Sequence, residues 1–166
     1  MRNTKFCVVI MILCLMCSFV ACGGDTTGEE NSSSALQSAA ASDVAQYLKE
    51  NTQFEDAMDS LDVDIAVSLF NLTENEVLLE DSTVICSTGA TAEEIAVFTA
   101  CDGAVEQVVA ACESRVEAQK IGFENYVPKE LEKLEDAVIR KEGNKVIFVV
   151  CNDAQNAEKL IKNYGL

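Results

Sequence analysis

Apolar and polar positions recur along the chain with two periods, one helical and one of the β type, and the change from one to the other marks its elements. Val44, Tyr47 and Leu48 recur at helical spacing behind Ser42-Asp43, two residue types that cap helices. Asp62 to Phe70 predicts a second, short helix that buries Ile65, Leu69 and Phe70. The β-branched run Thr83 to Cys86 and the run Ile95 to Thr99 then read as a hairpin around Ser87-Thr88-Gly89-Ala90-Thr91. Thr91 and Glu94 also match a capping box, so a helical turn competes with the strand there.

The clearest helix follows: Val105, Val108, Val109, Cys112 and Val116 share one face, with Glu106, Gln107, Glu113 and Glu117 elsewhere. Pro128 suits the first turn of a shorter helix through Leu131 and Leu134. Ala137 to Lys141, the turn Glu142-Gly143-Asn144 and Lys145 to Cys151 predict a second hairpin. Its last strand is apolar on both faces, which places it inside a sheet. Asp153 caps a final helix presenting Ala157, Leu160, Ile161 and Tyr164, and Gly165 ends it. Ile95 to Asp102 and Val146 to Asp153 resemble each other as apolar strands leading into helices. The expected fold is α+β: a four-stranded antiparallel sheet of the ββα-ββα kind backed by helices, with the N-terminal helices at an edge or on the other face.

The first residues obey a different rule. Arg2 and Lys5 precede an uncharged apolar run, Phe6 to Met16, which is the layout of a secretory leader. Small residues then flank a cysteine in Ser18-Phe19-Val20-Ala21-Cys22-Gly23-Gly24, which resembles a bacterial lipobox with Phe19 in the usual place of Leu. That resemblance implies diacylglyceryl transfer to Cys22, cleavage before it, and a lipid-anchored protein. The alternative, a retained transmembrane helix, has a barely sufficient apolar length and lacks stop-transfer charges. Gly23 to Ala41 is rich in Gly, Ser, Thr, Ala and acid, the composition of a flexible tether. The expected organisation is therefore a leader over 1–21, lipidated Cys22 and linker over 22–41, and a single domain over 42–166.

Composition narrows the chemistry. The chain lacks His altogether, which removes Ser-His-Asp and Cys-His catalysis and every imidazole metal site. The 28 acidic against 12 basic residues give a formal charge of −16, and removal of the leader takes away Arg2 and Lys5 but no acid. Nucleic acid and anionic surfaces are disfavoured as partners; a cationic partner or divalent cations stay open.

Cys86, Cys101, Cys112 and Cys151 remain after processing, at spacings that match no zinc motif. Three disulfide pairings are open to them, and Cys112 sits on the apolar face of its helix as a small core residue. Asp56, Asp59, Asp62 and Asp64, with Glu55, form the densest acidic cluster, but lack the glycine and closing Glu of an EF-hand. Ser87 to Thr91 is a Gly-containing loop whose backbone donors could meet a ligand, although it has no Lys and is no P-loop. Glu93 and Glu94 are adjacent and so point to opposite faces of a strand, the wrong geometry for a carboxylate pair at one bond; both are expected in solvent. Glu130, Glu132 and Glu135 with Lys129 and Lys133 read as the charged face of a short helix.

Ser87 to Phe98, STGATAEEIAVF, together with Phe123-Glu-Asn-Tyr-Val-Pro128 and Leu134-Glu-Asp-Ala137-Val138, resembles a domain-of-unknown-function family of bacterial lipoproteins, chiefly from Gram-positive anaerobes. The resemblance spans roughly Ser42 to Ile161; it implies a lipoprotein architecture and transfers no catalytic or binding residue. The expected function is a non-enzymatic interaction or accessory module on the extracytoplasmic face of the cell membrane, held there by its diacylglyceryl anchor and meeting an envelope protein partner. A receptor for a small ligand or cation, using the Ser87 to Thr91 loop or the acidic cluster, is the alternative. No catalytic residue, cofactor or metal ligand is expected.

Overall fold

The computed structural model describes residues 27–165, so the leader and Cys22 lie outside the described residues. In chain order the elements are α1 (Thr27–Ser38), α2 (Ala41–Asn51), β1 (Met58–Ser60), α3 (Val63–Leu69), β2 (Val77–Ser87), β3 (Glu94–Ala100), α4 (Val105–Phe123), α5 (Glu130–Glu135), β4 (Val138–Glu142), β5 (Lys145–Val150) and α6 (Ala154–Lys162). The strands make one antiparallel sheet in the order β1-β2-β3-β5-β4.

The two hairpins lie side by side, joined where β3 pairs with β5 from Glu94↔Val150 to Thr99↔Lys145. Each hairpin feeds a helix, and the two helices go to opposite faces. Period-2 alternation sends Val84, Ala96, Phe98, Val146 and Phe148 to one face, where α3, α4 and α5 cover them. It sends Ile85, Ile95, Val97, Ile147 and Val149 to the other, beneath α1, α2 and α6. Every residue of β3 and β5 is buried, as strands covered on both faces require. The β4–β5 turn places Gly143 at φ 61°, and a Cβ there would stand 2.8 Å from the Gln37 side chain.

Several expectations need correction. The sheet has five strands, not four, because β1 pairs Met58, Asp59 and Ser60 with Ser87, Cys86 and Ile85. Three residues inside an acidic run carry no readable alternation. Within the stretch expected as tether, α1 is helical over Thr27–Ser38; it buries Leu36, and Ser33 Oγ donates to Glu142 Oε2 at 2.9 Å. Its apolar residues are Ala35 and Leu36 alone, too few to register as amphipathic. The capping-box alternative at Thr91 and Glu94 gives way to β3, whose apolar run is long enough to fill the sheet's centre.

Helix α3 forms as expected, with Asp62 Oδ1 accepting from the Asp64 N–H at 3.1 Å. It is rotated, however: Ala66, Val67 and Phe70 are buried, and Ile65 and Leu69 face solvent. The Phe70 ring sets that rotation by packing edge-on against Phe98 and Phe148, at 4.9 and 5.6 Å between centroids.

Ser42-Asp43 does not cap α2. The helix starts at Ala41, and the Ala41 N–H is satisfied by Asp81 Oδ1 at 2.7 Å from forty residues away. A register irregularity in β2 between Val77 and Ser82 brings Asp81 there, where its other oxygen accepts from Lys145 Nζ at 2.9 Å and Thr99 Oγ1 at 2.7 Å. Burial opposes ionisation of Asp81, but the Ala41 N–H, the Lys145 ammonium and the Thr99 hydroxyl outweigh it and hold the carboxyl below its ordinary value of 3.8. A depressed folded value stabilises the domain above the unfolded pKa and stops doing so as pH falls through the folded one. The stability gap between wild type and Asp81→Asn is therefore expected to be widest at neutral pH and to close below 3.8, as urea unfolding at a series of pH values will read.

Candidate functional site

At the end of the sheet where β3 begins, two adjacent glutamates enter the interior. Glu94 and Glu93 are 0 % and 1 % exposed, so the expectation that they are solvated fails. A buried carboxylate persists only where donors and countercharge meet it, and each has its own set.

Glu94 faces α4. It accepts from Arg115 Nε at 3.0 Å, from Gln119 Nε2 at 2.9 Å and from Cys86 Sγ at 3.2 Å. The Arg115 guanidinium also lies 5.8 Å over the Phe70 ring, which ties the ion pair to the aromatic core.

Glu93 has a separate partner set, from the residues leading into β3, the segment before β1 and α5. Its carboxylate accepts from the backbone N–H of Glu55 at 2.9 Å and of Asp56 at 3.1 Å, from Thr91 Oγ1 at 3.0 Å and from Lys133 Nζ at 3.1 Å. Lys133 also reaches Glu130 Oε2 at 3.1 Å, and that oxygen accepts the Ala92 N–H at 3.0 Å. Glu130 and Lys133 are thus buried members of an ion network, not part of a solvated helix face. They sit three apart on α5, so one turn aims both at Glu93. Burial alone lowers the affinity of Lys133 for its proton, but the two carboxylates outweigh it and hold the pKa above the usual 10.5.

The acidic cluster divides. Glu55 and Asp56 join this network, while Asp62 caps α3 and Asp59 lies exposed on β1. Asp56 Oδ2 accepts from the Thr88 N–H at 3.0 Å and from the Thr88 hydroxyl, so it buttresses the Ser87 to Thr91 loop; hydrogen bonds from the Thr88 side chain and the Ala57 N–H hold its pKa down. Glu55 accepts from Lys129 Nζ at 3.2 Å and from Asn152 Nδ2 at 3.1 Å, and these bonds, with the Lys133 charge, lower its pKa as well. The two features singled out in the sequence therefore meet, with Glu93 as the joint.

Beside the joint opens a cleft of about 250 Å³ lined by Glu55, Lys129, Glu130, Lys133, Asp136 and Asn152. Glu130 is fully buried at its wall, and Glu130 Oε1 is among the few buried side-chain atoms of the described residues without a hydrogen-bond partner. Lys129 Nζ is 3.8 Å from that oxygen, beyond hydrogen-bond range, while Lys133 Nζ bonds the other oxygen of the same carboxylate at 3.1 Å. An unsatisfied buried acceptor costs about 1–3 kcal/mol, and more when charged. Among the described residues no cluster of three or more Cys, Asp or Glu side chains is arranged to hold a metal ion.

Cys86, Cys101, Cys112 and Cys151 are free thiols. Burial, with Glu94 adding to it, pushes Cys112 up to about 12 and raises Cys86 as well; burial likewise raises Cys151. Thiols held protonated in this way are poor nucleophiles. Sequence reasoning missed the Glu93–Lys133–Glu130 network, and its only available signal was the i, i+3 pairing of Glu130 with Lys133.

The family model for a domain of unknown function, DUF4358, matches residues 50–151, a stretch that contains all five strands and the buried glutamates Glu93, Glu94 and Glu130. No curated protein and no solved structure matches the chain. The resemblance drawn from STGATAEEIAVF thus lands on the β2–β3 hairpin that organises the site, and the chain belongs to the DUF4358 family.

Proposed function

We propose that this protein is a lipoprotein anchored through Cys22 at the extracytoplasmic face of the cell membrane, where its domain works as a non-catalytic binding module. The anchor rests on the basic, apolar and small-residue-Cys22 succession at the N-terminus; among the described residues no helix is long and apolar enough to cross a membrane. One observation carries the non-catalytic reading: Glu93 and Glu94, adjacent buried carboxylates, are each saturated by a separate set of donors, Lys133 and the Glu55 and Asp56 N–H groups on one and Arg115 and Gln119 on the other. Carboxylates engaged in this way are not free to act as an acid and base pair at one bond.

Two acyl chains are expected to hold the protein firmly, since each buried CH₂ contributes roughly 0.8 kcal/mol and one chain binds only reversibly. The wild-type chain should incorporate labelled palmitate and enter the detergent phase on partitioning. Cys22→Ala should lose the label and retain its leader; a Cys22→Ala chain that labels and partitions like wild type overturns the anchor. A second reading, a receptor for a small ligand, is favoured by the cleft beside Glu93. Cross-linking in intact cells separates the two, since a module recovers one envelope protein near stoichiometrically and a receptor recovers none.

A further inference from the structure

Two lysines reach the cleft between Glu55 and Glu130: Lys133, 3.7 Å from Glu55 Oε2 and 3.1 Å from Glu130 Oε2, and Lys129, which fits it badly. Lys129 Nζ bonds Glu55 Oε2 at 3.2 Å but stops 3.8 Å short of the unpartnered Glu130 Oε1. Its side chain is 67 % exposed, so it is free to swing into water, whereas Glu130 and Lys133 are fixed in the interior. Asn152 Nδ2 steadies Glu55 from the other side at 3.1 Å.

We propose that this cleft binds a primary ammonium group, which displaces the Lys129 ammonium and donates to Glu55 Oε2 and Glu130 Oε1 together. An ammonium carries three directed N–H donors and one charge, so it can satisfy both oxygens, and the Lys129 side chain that gives way is rehydrated at little cost. The lining selects against other classes. Glu55, Glu130, Glu132 and Asp136 outnumber Lys129 and Lys133, and the chain carries a formal −16, so an anion is repelled. A metal dication lacks a converging ligand set among the described residues. The cleft, about 250 Å³, has room for a small amine or the tip of one lysine side chain. This assigns a ligand class to the receptor reading and does not depend on the anchor at Cys22.

Isothermal titration of the full-length chain in detergent micelles tests it with three probes: 1,4-diaminobutane, Nα-acetyl-lysine methylamide, and tetramethylammonium, which has the charge without the donors. At least one primary amine should bind, and tetramethylammonium at least about tenfold more weakly, the worth of one charge-assisted hydrogen bond. Binding of the diamine alone identifies a free small molecule as the source, binding of the lysine derivative alone a partner's side chain, and either supports the site. Lys129→Met should tighten binding several-fold by removing the internal competitor, while Glu130→Gln and Glu55→Gln should each weaken it. Glu55 is partly exposed, so Glu55→Gln keeps the test decisive if Glu130→Gln does not fold. No binding by wild type and Lys129→Met, equal binding of tetramethylammonium, or an unchanged affinity in Glu55→Gln would overturn the proposal. Partitioning of the same chain with detergent is unaffected by any of these results, so failure here is distinct from failure of the anchor.

Discussion

Replacing Lys133 with methionine is expected to lower the unfolding free energy by about 3–5 kcal/mol, the loss typical of breaking a buried ion pair from one side. Lys133 is the buried cation shared by Glu93 and Glu130, and it stands 3.1 Å from each. Methionine fills a similar volume, so the loss reports stranded charge and not a cavity. The triple variant Lys133→Met, Glu93→Gln, Glu130→Gln removes the charges together and should recover part of the loss, because an uncharged site no longer needs a counterion. Urea denaturation with an unchanged slope is the measurement. A shift below about 1 kcal/mol, the scale of an exposed pair, would mean that the network is solvated. The pH dependence has a definite sign. A raised folded pKa stabilises below the unfolded value and is lost as pH rises through the folded one, so the gap between wild type and Lys133→Met should persist through neutral pH and close only in alkali above 10.5.

Phe98→Ala is expected to cost about 3–5 kcal/mol, the range for truncating a buried aromatic residue. Phe98 lies in the central strand β3, is completely buried, and packs edge-on to Phe70 at 4.9 Å. Phe70 in turn meets Phe148 at 5.6 Å and carries Arg115 over its ring, so the cavity would open where α3, the sheet and the Glu94 ion pair join. Phe98→Leu, which keeps most of the volume, should cost less than about 1.5 kcal/mol. Equal midpoints for the Ala and Leu variants in guanidinium would show that the aromatic cluster does not hold this layer together. A domain's whole stability is commonly about 5–15 kcal/mol, so either large loss depletes the native state measurably in cells.

These two residues differ in how far the chain alone announced them. Phe98 stands in an unbroken apolar run, Ile95 to Phe98, and the run marks a buried strand whatever surrounds it. Lys133 stands among glutamates on a short helix, where local pattern reads as a solvated face, and only its position opposite Glu93, forty residues earlier in the chain, makes it a core residue. The same separation hid Asp81 as the partner of the α2 N-terminus. Ile65 was misplaced for a related reason: a two-turn helix has several plausible buried faces, and the aromatic ring of Phe70 chose among them by docking on Phe98.

What the sequence determined by itself was whatever depends on neighbours within a turn or a strand. That covers both hairpins, the long helix α4, the cap at Asp153, the lack of histidine chemistry, and family membership. The tertiary structure decided which charges were buried and with whom. Burial of an ion is a balance between desolvation and a countercharge that the fold must bring from elsewhere, so the Glu93–Lys133–Glu130 network and the unpartnered Glu130 Oε1 exist only once α5 has been laid against the start of β3.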